Sequence, residues 1–525
     1  MGRVADKLPG METALNVVDG TINDILWTYI VPLFLVLGGL YFGLRTIFVQ
    51  IRSLPDMFKA ITESPKGKDR EGRDLDEEYG GLSAFKSFTI SAASRVGTGN
   101  VAGVALAISV GGPGAVFWMW MLALLGGATA FVESTLAQLW KTKDEDGNYH
   151  GGPAYYMTRG LGWAPLATIF SVFLALTYGF VYNAIQTNSI VEAVGGSLGT
   201  DSLVMKGAVA AIIAALTAVV IFGGVTRIAN WTQVIVPFMA GAYIIMGVTV
   251  VVLNIGEVPG MVSLIVGHAL GFQQVAGATV GLALMQGMRR GLFSNEAGMG
   301  SAPNAAATAT VSHPVKQGLV QTLGVYFDTL IVCSITAFVV LLGPAVSYGK
   351  DDIQGAALTQ SALADSVGAW GAHAITFILF FLAFSSVLGN YYLAQANVEY
   401  LTENKTVMLV FRLVVIGFVI FGAFGSVPLV WALGDTMAGL LAVFNIAAIV
   451  PLGGVAIKLL KNFNEQRQQG MDPVFHRDML PEVKNVEFWD GSDPVTRRSI
   501  EDRVTARDAR RSGESNDEGG LTEAR

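Results

Sequence analysis

Apolar runs of about 20 residues, separated by short polar segments, recur along most of this chain. About 20 apolar residues in a helix span the hydrocarbon core of a bilayer, so each run predicts a transmembrane helix. The runs lie at 26–48, 83–109, 113–140, 165–189, 205–223, 231–254, 276–309, 318–342, 370–400, 405–422 and 427–459. The pattern therefore predicts an all-α polytopic membrane protein with about 11 transmembrane helices.

Glycine-rich segments interrupt two of these predicted helices. The first segment is residues 97–100, Gly-Thr-Gly-Asn, and the second is residues 291–300, Gly-Leu-Phe-Ser-Asn-Glu-Ala-Gly-Met-Gly. Unpaired backbone groups are costly in lipid, so such segments survive where they line a cavity inside the protein. Two interrupted helices in corresponding positions of two repeats are typical of the binding site of a secondary transporter. A single Gly-Thr-Gly is equally compatible with close helix packing, and the second interruption favours the binding site.

Each interrupted helix begins a set of five, which indicates an internal repeat. We assign residues 83–254 to the first five-helix repeat and 276–459 to the second. Because five is odd, helices 1 and 6 run in opposite directions, which predicts an inverted repeat with discontinuous helices 1 and 6. The remaining segments are an N-terminal segment expected at the membrane surface (1–25), one leading transmembrane helix (26–48), a cytoplasmic loop (49–82) and a polar cytoplasmic tail expected to be loosely attached (460–525).

The composition agrees with a membrane protein. Of the 525 residues, 52% are hydrophobic and 14% charged, and the mean hydropathy is +0.51, which excludes an ordinary soluble protein. The one cysteine, Cys333, excludes both an internal disulfide and a cysteine metal cluster. The charged residues among the first 25 interrupt any apolar core there, so we expect no signal peptide.

Lysine and arginine counts orient the predicted helices. With the N-terminus outside, the inner connections and their flanks hold fifteen of these residues, and the outer segments hold four. Cytoplasmic loops are enriched in positive charge, so this difference places the N-terminus outside and the C-terminus in the cytoplasm. We therefore expect a multi-pass protein of the plasma (inner) membrane.

The first interruption offers groups that suit a carboxylate and a cation. Unwinding frees backbone N–H groups at the positive end of the second half-helix, where anions bind. Thr98 adds a hydroxyl group, Gly99 lets the backbone approach a ligand closely, and Asn100 completes the segment. The freed carbonyl groups of Ala93 and Val96 end the first half-helix and are oxygen ligands suited to a hard cation.

The second interruption offers acceptors for an ammonium group. They are the Phe293 carbonyl oxygen and the side chains of Ser294 and Asn295. Phe293 and Met299 are also placed to wall a small apolar pocket, although core packing alone explains Met299 equally well. These residues are therefore candidate substrate contacts.

Ionisable residues near the interruptions need partners at membrane depth. Arg95 directly precedes the first interruption and is a candidate for a gate ion pair. A structural pair of Arg95 with Glu133, Glu296 or Asp328 is an equally good interpretation.

Three motifs resemble the signatures of a known family. They are residues 97–105 (Gly-Thr-Gly-Asn-Val-Ala-Gly-Val-Ala), 151–156 (Gly-Gly-Pro-Ala-Tyr-Tyr) and 291–303 (Gly-Leu-Phe-Ser-Asn-Glu-Ala-Gly-Met-Gly-Ser-Ala-Pro). They look like those of the alanine or glycine:cation symporter family, and the resemblance extends from about residue 20 to 460. It implies the leucine-transporter type of inverted five-helix repeat with an extra leading helix. It also implies sodium-coupled uptake of small neutral amino acids.

The resemblance further implies a sodium site and one more substrate contact. In transporters of this architecture, two adjacent hydroxyl groups on helix 8 meet the freed carbonyls of helix 1 around sodium, and Ser385 and Ser386 match that pair. Alternatively, both serines hydrogen-bond to carbonyl groups one turn back in their own helix. Gln186 resembles the family's substrate-facing glutamine on helix 3, although hydrogen bonds between helices also explain a polar residue there.

The expected partners are a small neutral amino acid, a sodium ion and the lipid bilayer, with no cofactor. The chain has no nucleotide-binding loop and no catalytic set of residues, so we expect no ATP, no nucleic acid and no enzymatic activity. Two alternatives stay open. One is a proton-coupled or exchange transporter on the same scaffold, in which Glu133, Glu296 or Asp328 titrates. The other is a channel or membrane enzyme, for which filter loops or a catalytic set are missing from the sequence.

Overall fold

Helices make up most of the protein. The computed structural model describes residues 16–62, 82–143, 148–273, 278–343, 348, 355–425 and 427–491. The helices are α1 (Val18–Arg45), α2 (Val49–Arg52), α3 (Leu54–Ile61), α4 (Ala84–Arg95), α5 (Gly99–Gly111), α6 (Gly114–Leu139), α7 (Pro153–Tyr155), α8 (Ala164–Leu198), α9 (Leu203–Ile221), α10 (Gly224–Leu253), α11 (Val258–Ala269), α12 (Val280–Asn295), α13 (Ala302–Ala306), α14 (Pro314–Leu342), α15 (Ala356–Val367), α16 (Trp370–Leu401), α17 (Lys405–Gly422) and α18 (Val427–Gln468). A two-residue hairpin pairs β1 (Thr142–Lys143) with β2 (Tyr149–His150), antiparallel.

The described helices confirm the predicted set of membrane crossings. Nine of them are long and apolar enough to span a bilayer: α1, α6, α8, α9, α10, α14, α16, α17 and α18. Two further crossings are split, α4 with α5 and α12 with α13, at the two glycine-rich segments. The fold is therefore an all-α polytopic one with a leading helix, two discontinuous helices and eleven crossings in the described chain.

The two split crossings lie in the middle of the helix bundle. α12 packs against α5 and α6, while α4 packs against α10 and α16. The counterparts of the two repeats, α6 and α14, pack along each other. Buried residues therefore surround both interruptions, which lets irregular backbone exist at membrane depth.

The leading helix begins before the apolar run that predicted it. Residues 18–25 form the first turns of α1. Asn23 in these turns is fully buried, and its Nδ2 donates to the Ala432 carbonyl of α18 across 2.8 Å. A packed polar contact with α18, which the sequence pattern does not show, fixes these turns in the bundle.

The tail also differs from the expectation where the structure describes it. α18 continues to Gln468, and the following residues fold back over the ends of α6 and α14. The backbone N–H of Phe475 donates to the Ser312 carbonyl across 2.9 Å, and Trp489 Nε1 donates to the Gln138 carbonyl across 3.2 Å. Phe475 and Trp489 are both almost fully buried, so a loosely attached tail is wrong for residues 472–491. Residues 492–525 and, in the predicted loop, 63–81 lie outside the described residues.

Candidate substrate and ion site

The first interruption is a short extended link between α4 and α5. Val96 adopts φ −85° and ψ 92°, which ends α4, and α5 begins at Gly99. The N–H of Gly97 donates to Asn100 Oδ1 across 2.8 Å, and the N–H of Thr98 donates to Gln186 Oε1 across 3.2 Å. Side chains thus satisfy two of the amides that the sequence led us to expect free for a carboxylate.

Both glycines of the link are required by close contacts. A Cβ atom at Gly97 would collide with Ser386 Oγ of α16. A Cβ atom at Gly99 would lie 2.9 Å from Phe293 Cδ1 of α12, which is closer than carbon atoms pack. The first interruption therefore touches Phe293 on one side and Ser386, one of the two predicted serine ligands of sodium, on the other.

Glu133 of α6 organises the second interruption. Its Oε1 accepts the N–H of Gly298 and its Oε2 accepts the N–H of Gly300, each across 3.2 Å. Asn445 of α18 adds an Nδ2 donor to Oε2 across 2.7 Å. This buried carboxylate holds the amide groups that the broken helix leaves without backbone partners, so Glu133 is a structural centre of the site. We did not predict Asn445, whose only signal in the sequence is a polar residue within an apolar run.

Glu296 begins the second interruption in a strained conformation. Its φ is +57°, which is unfavourable for a residue with a side chain, and its backbone N–H closes the last turn of α12. Its carboxylate accepts hydrogen bonds from Ser94 Oγ and Ser301 Oγ, each across 2.7 Å. The side chain thus connects the end of α4 to the start of α13.

A polar network joins the two interruptions to α14. Asn100 Nδ2 donates to Asp328 Oδ1 and Ser294 Oγ donates to Asp328 Oδ2, each across 2.7 Å. Thr329 Oγ1 donates to the same Oδ2 across 2.9 Å. All four residues are fully buried. Ser294 donates its hydroxyl hydrogen to Asp328 in this network, so that hydrogen is not directed at the first interruption.

Two buried polar atoms of the predicted substrate contacts have no hydrogen-bond partner among the described residues. They are Thr98 Oγ1 and Asn295 Nδ2. Asn295 Oδ1 accepts the N–H of Ala297 across 3.0 Å, so its nitrogen atom is the free group. We predicted Asn295 as an acceptor for an ammonium group, and the structure instead presents it as a donor. Buried polar groups without partners are rare, and binding sites are one place where they occur.

Three aromatic side chains, from α8, α12 and α18, pack together beside the two interruptions. The Phe293 ring lies between the rings of Tyr182 and Trp431, with centroid distances of 4.7 and 4.9 Å. Met299 is fully buried in the same core cluster. We call the three rings of Tyr182, Phe293 and Trp431 the aromatic layer. Its Phe293 ring lies directly against Gly99 of the first link.

The predicted sodium ligands meet in part. Ser386 Oγ lies 3.5 Å from the Val96 carbonyl oxygen and 3.1 Å from that of Leu382, while Ser385 Oγ donates to Leu382 across 2.7 Å. The serines thus make the hydrogen bonds one turn back that we kept as the alternative. Those bonds use the hydroxyl hydrogens and leave oxygen lone pairs for an ion. The Ala93 carbonyl carbon packs one turn further along, 3.1 Å from a Cβ position at Gly389.

Comparison with known proteins identifies the family. Residues 11–477 match the sequence profile of the sodium:alanine symporter family. The chain belongs to this family.

Relatives of the symporter cover nearly its whole length. It is similar to the amino-acid carrier protein AlsT of Bacillus subtilis, with 45% identity over 91% of this chain and 99% of AlsT. It is 42% identical to the probable sodium/glutamine symporter GlnT of the same species, over 93% of this chain and 98% of GlnT. It is 37% identical to the sodium/alanine symporter AgcS of Methanococcus maripaludis, over 85% of this chain and 97% of AgcS. The family and these relatives are transporters, so the symporter is a cation-coupled amino-acid carrier and not an enzyme.

The fold of the symporter is shared with a solved structure. The crystal structure of MhsT in complex with L-phenylalanine matches with a TM-score of 0.53 and 13% identity, over 82% of this chain and all of that chain. At this identity the likeness concerns the fold. It agrees with the two discontinuous helices and the inverted repeat.

The charged pair nearest the site of the symporter is not the one we predicted. Arg95 Nη1 donates to the Gln321 carbonyl across 3.3 Å, and within the described residues Arg95 makes no ion pair. Arg290 of α12 and Asp435 of α18 instead form a buried ion pair above the aromatic layer. Asp435 could have been found as the lone acid within the apolar run 427–459, where a charge needs a partner.

Proposed function

We propose that this protein couples the inward movement of sodium to the uptake of a small neutral amino acid, such as alanine or glycine, across the plasma (inner) membrane. The observation that carries the proposal is the pair of buried, unpartnered atoms Thr98 Oγ1 and Asn295 Nδ2, one at each interruption. Both groups can donate a hydrogen bond, and a carboxylate accepts several. The amino acid then binds between the two links.

The substrate carboxylate is held by side chains in this proposal, because Gln186 and Asn100 already satisfy the amides of Thr98 and Gly97. Gln186 is buried beside the link and accepts a hydrogen bond from the Thr98 backbone, so the two move together. Its side-chain amide then completes the contacts to the substrate carboxylate. The ammonium group faces carbonyl oxygens in the last turn of α12, at Phe293 and its neighbours, where helix C-termini are negative. The site thus recognises both the carboxylate and the ammonium group of the amino acid.

The size of the substrate follows from the walls of the site. Phe293 approaches the Gly99 backbone closely, and Met299 fills the core behind the second link. A side chain larger than a methyl group would have to displace the Phe293 ring from its place between Tyr182 and Trp431. Alanine and glycine fit this restriction, whereas glutamine requires the ring to move.

Sodium binding and substrate binding are coupled through the first link. The Val96 carbonyl faces Ser386, and Thr98 lies two residues further along the same unwound segment. An ion bound by Val96, Ser385 and Ser386 orders that segment and so prepares Thr98 for the carboxylate. Thermodynamic linkage makes the effect mutual, so bound amino acid strengthens sodium binding by the same factor.

The orientation of the protein in the membrane is inferred from the charge distribution. The lysine and arginine count places the N-terminus outside and residues 472–491 in the cytoplasm. Asp435 and Arg290 then lie on the outer side of the site. Protease treatment of intact cells that carry an epitope tag at either terminus tests this arrangement, and cleavage of a C-terminal tag would contradict it.

The second candidate is a proton-coupled or exchange transporter on the same scaffold. The observation in its favour is Asp328, a fully buried carboxylate that accepts three side-chain hydrogen bonds and has no ion pair with any described basic residue. A carboxylate in that position can carry a proton together with the substrate.

One measurement separates these candidates. Purified protein is reconstituted in proteoliposomes that carry a sodium gradient, a potassium gradient or a pH gradient, and uptake of labelled alanine, glycine and glutamine is followed. We expect accumulation of alanine and glycine above equilibrium only with the sodium gradient. Accumulation driven by the pH gradient alone supports proton coupling, and exchange without any net accumulation supports an exchanger.

A further inference from the structure

A buried ion pair covers the aromatic layer of the site. Arg290 donates to both carboxylate oxygens of Asp435, and its guanidinium lies 4.7 Å from the ring centroid of Trp431 and 5.9 Å from that of Phe293. Arg290 and Asp435 are 2% and 4% exposed. We call Arg290 and Asp435 the charged gate, because separating them is required before Phe293 can be reached from this side.

A third charged residue lies against the charged gate. Arg289, the neighbour of Arg290, is only 7% exposed and lies 3.8 Å from Asp435 Oδ2. Two buried arginines therefore face one aspartate. A second carboxylate comes from α1, where Asp19 Oδ1 lies 3.3 Å from Arg289 Nη1. Buried charge is tolerated when it is paired, so Asp19 brings this cluster to neutrality.

α1 also forms hydrogen bonds with α18 on both sides of the gate aspartate. Asn23 Nδ2 donates to the Ala432 carbonyl, and Thr436 Oγ1 donates to Asn23 Oδ1, each across 2.8 Å. One turn further along α1, Trp27 Nε1 donates to the carbonyl oxygen of Asp435 itself across 3.2 Å. Asn23 and Trp27 are fully buried. These bonds fix the turn of α18 that carries Asp435.

We infer that α1, which stands outside the inverted repeat, is a positioning element of the charged gate. Asp19, Asn23 and Trp27, which we call the α1 clamp, connect α12 to α18 and hold Arg290 and Asp435 in register. The gate opens by separation of α12 from α18, and this movement breaks the Asp19–Arg289 contact or the contacts to α18. The inference rests on the proposed function only in taking the covered site to be the amino-acid site.

Cysteine labelling reports gate opening directly. Ile185 of α8 is fully buried beneath the gate, with its Cδ1 only 2.7 Å from a Cβ position at Gly434, the residue before Asp435. In the purified full-length protein carrying Ile185→Cys, the rate of modification by a charged methanethiosulfonate is measured with saturating sodium and alanine. The parent protein, whose one cysteine Cys333 is buried, gives the background.

Clamp variants are compared with a matched control on the same helix. We expect Asp19→Asn and Trp27→Phe each to raise the labelling rate about three- to tenfold. This range lies between the effect of losing an exposed ion pair and that of losing a buried hydrogen bond to a charged group. Asp24→Asn is the control, because it makes the same charge change at an exposed residue that bonds only to Thr28 among the described residues. With this control the labelling rate should equal that of Ile185→Cys alone. Combining Asp19→Asn with Arg289→Gln should have less effect than the sum of the two single changes, since both remove the Asp19–Arg289 contact.

Two results would overturn the inference. One is an unchanged labelling rate in both clamp variants, and the other is an equal rise in Asp24→Asn, which shows general loosening. Trp27→Phe keeps an aromatic ring at this buried position while removing the N–H donor together with part of the indole, and Asp19→Asn is at a half-exposed position, so both variants are expected to fold. Failure of the proposed function is separate, because it shows as an absence of sodium-dependent alanine binding in the parent protein, whatever the labelling rates are.

Discussion

The backbone N–H of Thr98 donates a hydrogen bond to Oε1 of Gln186 across 3.2 Å, joining the first interruption to the polar face of α8. The two residues lie 88 positions apart in the chain. The bond occupies the backbone amide, while the hydroxyl oxygen of Thr98 has no hydrogen-bond partner among the described residues. In the proposed binding mode, the Thr98 side chain therefore contacts the substrate carboxylate.

Replacing Thr98 with valine tests that contact. Thr98→Val keeps the shape and removes a hydroxyl that makes no bond within the described protein, so the thermal unfolding temperature should change little. Alanine affinity should fall by about ten- to a hundredfold, the effect of losing a hydrogen bond to a charged group. Equilibrium binding of labelled alanine at fixed sodium measures it. Thr177→Val, which removes a hydroxyl bonded to Phe173 in its own helix, should leave affinity unchanged. Wild-type affinity in Thr98→Val would exclude the hydroxyl as a ligand.

A methyl group at Gly99 should abolish uptake by blocking the site. Gly99→Ala places Cβ 2.9 Å from the Phe293 ring, which must then leave its position between Tyr182 and Trp431. Gly417→Ala is the control, because a Cβ atom there meets nothing within 4 Å. The double variant Gly99→Ala with Phe293→Leu makes room again and should recover part of the uptake. Normal uptake by Gly99→Ala alone would show that the two interruptions are not in close contact.

Removing both hydroxyl groups of α16 should weaken sodium binding. Ser385→Ala with Ser386→Ala removes both predicted side-chain ligands and leaves only the carbonyl oxygens of Ala93 and Val96, so the sodium concentration that gives half-maximal alanine binding should rise about tenfold or more. At saturating sodium, alanine affinity should recover, because the contacts to the amino acid are intact. The titration of alanine binding against sodium checks both effects. An unchanged sodium dependence means that these serines only bond to Leu382 and that the ion lies elsewhere.

Glu133→Gln should destabilise the second interruption. Glutamine keeps one oxygen acceptor, so either the Gly298 or the Gly300 amide, or Asn445, loses its partner in the protein interior. We expect a loss of about 1–3 kcal/mol in the free energy of unfolding, the usual effect of a buried group left unsatisfied. Glu465→Gln is the matched control, because Glu465 is exposed and its pair with Lys461 is worth less than about 1 kcal/mol. Thermal unfolding in detergent compares them, and equal stability of the two variants would exclude a structural role for Glu133.

Much of the fold follows from the sequence because membrane insertion is a local property. About 20 apolar residues suffice to form a spanning helix. Glycine readily adopts non-helical backbone conformations. Gly97 and Gly99 therefore identify a break in the helix without knowledge of any other part of the chain. The eleven crossings, both interruptions and the leading helix were predictable for this reason.

The partners of the buried polar groups were decided only by tertiary structure. A sequence shows that Asp435 or Glu133 needs a partner, but its choice depends on which helix faces it: Arg290 is 145 residues from Asp435, and Asn445 is 312 from Glu133. The same holds for Asn295, whose oxygen is taken by Ala297 and whose nitrogen is thereby left free. Apolar length specifies that a segment crosses the membrane, whereas hydrogen-bond direction and ion pairing are properties of the packed bundle.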